Sequence, residues 1–127
     1  MKNLNNLNKE KEEEHQDDLK LKELNQFIGT EYYHKGFLNV NLTDGVFYVS
    51  NNGYNWFVCD CIAVIRTELK NEEFLTIELK IENGKAKMMI TDGNGKILYT
   101  QNYKSTNCKR NLKFFYTNNV LMLAQEY

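Results

Sequence analysis

Proline is absent from the chain, tryptophan occurs once and histidine twice, and no apolar run approaches the roughly 20 residues that a membrane-spanning helix requires. A bilayer-crossing helix is therefore not expected. The three cysteines, Cys59, Cys61 and Cys108, cannot all pair, and no N-terminal stretch joins a basic start to an apolar run of signal-peptide length. The chain thus reads as a cytoplasmic protein with reduced thiols. His15 lies in a charged N-terminal stretch and His34 is the one other imidazole, so no set of nucleophile, base and orienting residue can be named. The expectation is a protein that is not an enzyme and carries no cofactor. The lack of proline beside many Asn and Lys is the compositional mark of an AT-rich genome.

What is present is enough for one self-sufficient core. The 127 residues are 42% hydrophobic and 13% aromatic, the range of a globular domain that needs no disulfide or metal staple. The net charge of -1 is unevenly spread: residues 25–73 carry three bases and six acids, whereas residues 74–127 carry eight bases and four acids. A mildly basic C-terminal half suits an acidic protein surface or a phosphate backbone. It falls short of the footprint of a dedicated nucleic-acid binder, so direct nucleic-acid contact is the lesser expectation.

Residues 1–17 are rich in charge and poor in apolar side chains, which predicts a flexible tail before a single domain over residues 18–127. Asp17 or Asp18 can cap a short helix that Gly29 would end. Thr43 and Asp44 mark a second start, and "GVFYVSNNG" reads as a short helix stopped by Asn52-Gly53, or as a strand by its β-branched and aromatic content. A central helix over about residues 54–69 follows, with Trp56, Cys59, Ala63 and Arg66 along one stripe and Phe57, Asp60 and Val64 along the next.

From residue 74 the period becomes two. "FLTIELKIE" sets Leu75, Ile77, Leu79 and Ile81 on one face, and Asn83-Gly84 supplies the positive φ of a two-residue hairpin turn. That turn pairs Ile81 with Ala86, Leu79 with Met88 and Ile77 with Ile90. The next connection, "DGNG", extends the face by setting Ile90 against Ile97 and Met88 against Tyr99. A last hairpin turns at Asn118-Asn119 between strands that are apolar on both faces, hence interior or doubly covered. The expected fold is α+β: two or three N-terminal helices packed on a roughly five-stranded antiparallel sheet.

On the other face of the first hairpin Lys80 opposes Lys87, Glu82 opposes Lys85, and Lys96 and Lys113 join them. Opposed like charges cost a strand pair a few tenths of a kcal/mol or more, unless an acid or a bound anion offsets them. The five lysines are candidate partner-binding residues, or a mixed-charge solvated surface that includes Glu78 and Glu82. "DGNGK" lacks the glycine spacing and the Lys-Ser/Thr ending of a phosphate loop and reads as a turn. Cys59 and Cys61, two apart on a helix, diverge by roughly 200° and cannot share a metal, so core packing is expected. Asp60 within "WFVCDCIAVI" must be paired or neutralised, with Tyr32, Tyr33, His34 or a sheet lysine as partner. With Tyr54 and Trp56 it is a candidate pocket residue between helix and sheet.

The blocks "QFIGTEYY", "LTDGV", "YNWFVCDCIA", "DGNGKILYTQ" and "NNVLMLAQEY" together resemble an uncharacterised domain-of-unknown-function family of small bacterial and phage mobile-element proteins, over residues 25–127. The matching positions are Gly29, Thr30, Glu31, Thr43, Asp44, Gly45, Trp56, Asp60, Ala63, Gly93, Gly95, Gln101, Glu126 and Tyr127. Ala124-Gln125 departs from the Pro-Ser of that pattern. The resemblance implies a mobile-element setting and no known activity. The expected function is a non-enzymatic inhibitor that occludes or locks a host defence complex such as a CRISPR effector, which can be a ribonucleoprotein. The alternative is a small-molecule or nucleotide-binding domain.

Overall fold

The computed structural model describes residues 23–127. The tail expected over residues 1–17 and the start of the helix expected from about residue 18 lie outside the described residues. Glu23 and Leu24 are helical and the chain turns at Asn25 and Gln26, before Gly29. Seven strands follow: β1 (His34–Lys35), β2 (Asn41–Leu42), β3 (Phe74–Glu82), β4 (Lys85–Thr91), β5 (Ile97–Tyr103), β6 (Leu112–Thr117) and β7 (Val120–Leu123). Two α-helices, α1 (Asp44–Val49) and α2 (Asn55–Thr67), lie between β2 and β3. The strands form one sheet in the order β1-β2-β7-β6-β3-β4-β5. Every neighbouring pair is antiparallel except β2 and β7, which run parallel.

The α+β class therefore holds, while the expected five-stranded antiparallel sheet is corrected to seven mixed strands with one long helix. Both extra strands are two residues long, too short to show a period of two. β2 is held from outside, because the Asn41 N–H donates to the Asn119 carbonyl at 2.9 Å and the Thr43 N–H to the Leu121 carbonyl at 3.1 Å, and β1 pairs with β2.

Residues 44–49 are helix rather than strand because Thr43 caps them, its hydroxyl oxygen accepting from the Val46 N–H. Asn52-Gly53 ends this helical run as expected: Asn52 at φ -126° and Gly53 at φ 101° leave helical geometry, and the kink redirects the chain into α2. The buried stripe of α2 is Phe57, Val58, Cys61, Ile62, Val64 and Ile65, so Trp56, Cys59, Asp60, Ala63 and Arg66 are left half-buried on its flank. This stripe covers the inner face of the sheet, where Ile77, Leu79, Met88, Ile90 and Phe114 are fully buried. Each such side chain contributes about 1.5–3 kcal/mol relative to exposure.

The first hairpin has the expected register, including Lys80 opposite Lys87, with Asn83 and Gly84 at φ 53° and 73°. The last hairpin turns at Asn118 and Asn119, φ 52° and 62°, and places β6 and β7 inside the sheet. The register expected for β5 is corrected by two residues, so that Ile90 faces Tyr99 and Met88 faces Gln101: Lys96 stays in the turn, which sets Thr91 against Ile97, and an irregularity at Ile90/Thr91 then leaves Leu98 extra. Ile97 is consequently 57% exposed rather than part of the core. No helix among the described residues is long and apolar enough to cross a membrane.

Candidate functional site

Alternation along β3, β4 and β6 sends Lys80, Lys85, Lys87 and Lys113 to the outer face, opposite to the helices, and all four are exposed. Lys96 is not among them. It follows the β4–β5 turn, where its N–H donates to Asp92 Oδ1. The like-charge pair is offset on one side only: Lys80 Nζ lies 3.8 Å from Glu78 Oε2, an exposed contact contributing a few tenths of a kcal/mol. Glu82 faces Lys85 and Glu78 faces Lys113 in register, while Lys113 Nζ stands 5.6 Å over the Phe115 ring. Further along the same face Phe74, Phe115 and Tyr127 meet at ring-centroid distances of 5.3–5.9 Å, flanked by half-buried Met89 and Met122. The buried stripes of α1 and α2 lie in the core on the opposite side. Its aromatic end was not singled out as a site, although the doubly apolar run "FFY" was its signal.

Of the pocket candidates, Trp56 lines a cleft beside the C-terminal end of β5. The cleft, of about 350 Å³, opens between Gly53, Trp56, Tyr103 and the segment 105–108. Tyr54 is buried outside it, where its phenol oxygen accepts from the Arg110 N–H at 3.1 Å and pins the β5–β6 crossing. Asp60 flanks the cleft. Its Oδ2 accepts from the Tyr103 hydroxyl at 2.9 Å, so its partner comes from β5 and not from Tyr32, Tyr33, His34 or a lysine. Burial and this bond to an anion both push the Tyr103 phenol well above its ordinary range, which keeps it a donor. The Trp56 and Tyr103 rings meet edge to face at 4.9 Å. Tyr103 is the residue sequence reasoning missed, and only its aromatic place at a strand end could have suggested it.

Cys61 is buried in the core, and burial pushes its thiol up. Cys59 points elsewhere, its Sγ donating to Asn55 Oδ1 at 3.7 Å. Among the described residues no three of His, Cys, Asp and Glu gather as a metal-binding set. In the "DGNGK" turn the Asn94 and Lys96 N–H groups both donate to Asp92 Oδ1, so these donors are already occupied.

A third feature joins parts of the chain far apart in sequence. Glu126 accepts from the Thr43 hydroxyl at 2.6 Å, the Leu123 N–H at 3.0 Å and the Gly45 N–H at 3.1 Å. Asp44 accepts from the Glu31 N–H at 2.9 Å and bonds His34 Nε2 at 2.8 Å, while its own N–H donates to the Thr30 hydroxyl. The Glu31 N–H, followed by His34, holds the Asp44 carboxyl below its ordinary range. His34 in turn stacks on Phe47 with centroids 4.0 Å apart. The hub thus gathers Thr30, Glu31, Thr43, Asp44, Gly45 and Glu126, and what it does is hold. Gln125, where the chain departs from the Pro-Ser pattern, donates from Nε2 to the Leu24 and Phe27 carbonyls.

No curated protein and no solved structure matches the chain. A family model does match, over residues 18–127, a span that contains the outer face, the cleft and the hub, and the chain therefore belongs to DUF6876, a family of unknown function.

Proposed function

We propose that the protein is a non-enzymatic binding protein whose outer sheet face docks on an acidic protein surface. The observation that carries this reading is the joint presentation, on the face opposite to α1 and α2, of four exposed lysines beside Phe74, Phe115, Tyr127 and two methionines. Aromatic and methionine side chains are the ones enriched in interface centres, and a charged border steers and orients a partner of opposite sign. The finer form is an inhibitor from a phage or mobile element that occludes or locks a host defence complex such as a CRISPR effector. It is supported by the resemblance of the sequence blocks to mobile-element proteins. The test is a pull-down of purified defence effectors by the full chain, with phage plating on a defended host that expresses it. Capture of an effector and restored plating are expected. Capture of none, with plating unchanged, overturns the inhibitor reading.

The cleft beside Trp56 favours a second reading, a small-molecule or nucleotide site, because aromatic walls and a nearby acid are a common pocket composition. A thermal-shift screen of nucleotides and cyclic dinucleotides tests it. A ligand at 100 times its Kd raises stability by about 2.7 kcal/mol, and no shift at millimolar ligand removes this reading.

A further inference from the structure

One side of the sheet ends in a strand that nothing among the described residues completes. β5 pairs with β4 alone, spans seven residues, and contains neither proline nor a charged lysine, arginine or carboxylate. Exposed edges are usually blunted by such residues, by bulges or by a covering element. Here the extra residue Leu98 disrupts only the beginning of the strand, and Tyr99 to Tyr103 stay in regular register with β4. Alternate N–H and C=O groups of this stretch face away from β4. At its far end Tyr103 also forms one wall of the cleft with Trp56, so a strand laid along β5 would run to the mouth of that cleft.

The charges around the edge identify the occupant. Lys96 precedes β5, Lys104 follows it, and Lys87 lies on the adjacent strand opposite Asn102. The nearby acids are engaged: Asp92 accepts from its own turn and Asp60 from Tyr103. A second copy of the chain is disfavoured, since the antiparallel register that pairs all seven β5 residues sets Lys96 of one copy against Lys104 of the other.

We infer that β5 is a strand-addition site for an extended peptide segment of another protein, uncharged and alternating at its centre, acidic at its ends, with one side chain entering the Trp56–Tyr103 cleft. The inference rests on the reading of the protein as a binding module and specifies its partner. Main-chain bonds along β5 supply affinity, and the cleft and the flanking lysines supply selection.

The experiment selects displayed ten-residue peptides on the immobilised full chain. Expected are β-branched or aromatic residues at alternate positions with Asp or Glu toward both ends. Thr100→Pro and Gln101→Pro are then compared by melting and by peptide binding. The one whose N–H faces away from β4 keeps the fold, and it should bind at least tenfold more weakly. Lys96→Glu with Lys104→Glu should weaken the acidic peptides by about tenfold. No enriched peptide, or peptides that bind the folded proline variant unchanged, would overturn the inference. Peptides insensitive to proline but released by Lys87→Glu would overturn it while leaving the outer-face reading intact.

Discussion

Replacing a helical glycine by alanine normally stabilises a helix by about 0.5–1 kcal/mol, and Gly45 in the first turn of α1 should reverse that sign. An alanine Cβ there would lie 2.4 Å from Leu123 Cδ1, 2.5 Å from Glu126 Oε1 and 2.8 Å from Glu126 Cδ, against ordinary contacts of 3.4–4 Å. Leu123 is 3% exposed and has little room to retreat, and overpacking of this kind costs about 1–3 kcal/mol. If Glu126 moves instead, its carboxylate gives up the bonds from Gly45 and Thr43, each worth about 1.5–3 kcal/mol as a bond to a charged group. The net expectation for Gly45→Ala is a loss of about 2 kcal/mol, read in urea as a lower midpoint at unchanged slope. In a Glu126→Ala background one collision is gone, so the same substitution should cost about 1 kcal/mol less. A midpoint at or above wild type would refute the reasoning, and strict additivity of the two changes would show that Glu126 is not what the methyl group meets.

The two lysine reversals should differ from each other. Lys87→Glu creates an opposite-charge pair with Lys80 and should raise stability by a few tenths of a kcal/mol, whereas Lys80→Glu loses Glu78 and adds an acid between Glu78 and Glu82, leaving stability near wild type or slightly below. Both should weaken binding to an acidic partner and flatten its salt dependence, and unchanged affinity in both would return this face to plain solvent surface. Tyr103→Phe leaves Asp60 without its donor and should lower stability by about 1 kcal/mol in thermal or urea melts; a neutral result would mean that water replaces the phenol at no cost. Asp44 has a depressed folded-state pKa, so its contribution is present above the ordinary value of 3.8 and is lost as pH falls through the lower folded value. The stability gap between wild type and Asp44→Asn should therefore close on acidification below that value, and a gap independent of pH would contradict the bonding assigned to Asp44.

Legibility in the sequence followed the reach of each signal. The β3–β4 and β6–β7 registers were readable because two-residue turns demand positive φ, and Asn83-Gly84 and Asn118-Asn119 meet that demand locally. The β4–β5 register was lost by two residues, one because Lys96 stays in the turn and one because Leu98 is extra, and the strand's residues carry no mark of either. β2 was invisible because its pairing is decided by carbonyls of Asn119 and Leu121, almost eighty residues away, and β1, two residues long, pairs only with β2. The same distance problem hid the partner of Asp60: burial required one, but only the crossing of β5 past α2 determines that it is Tyr103. The lysine face was legible as a row, and its aromatic continuation was not, since it depends on Phe74, Phe115 and Tyr127 arriving from three separate segments.

The parallel contact between β2 and β7 has a kinetic side. Apart from the two-residue β1, residues 41–43 find their sheet neighbours among residues 119–121, so on the ribosome α1 and β2 emerge long before the strand that receives them. The β3–β4–β5 meander can close by local turns while the front of the domain waits, and loop-closure entropy places its docking late. Such non-local closure belongs to topologies that refold in about milliseconds to seconds rather than microseconds. Thr43→Ala should then mainly speed unfolding and leave the folding limb of a urea chevron nearly unchanged, while a slowed folding limb would place the clasp in the nucleus.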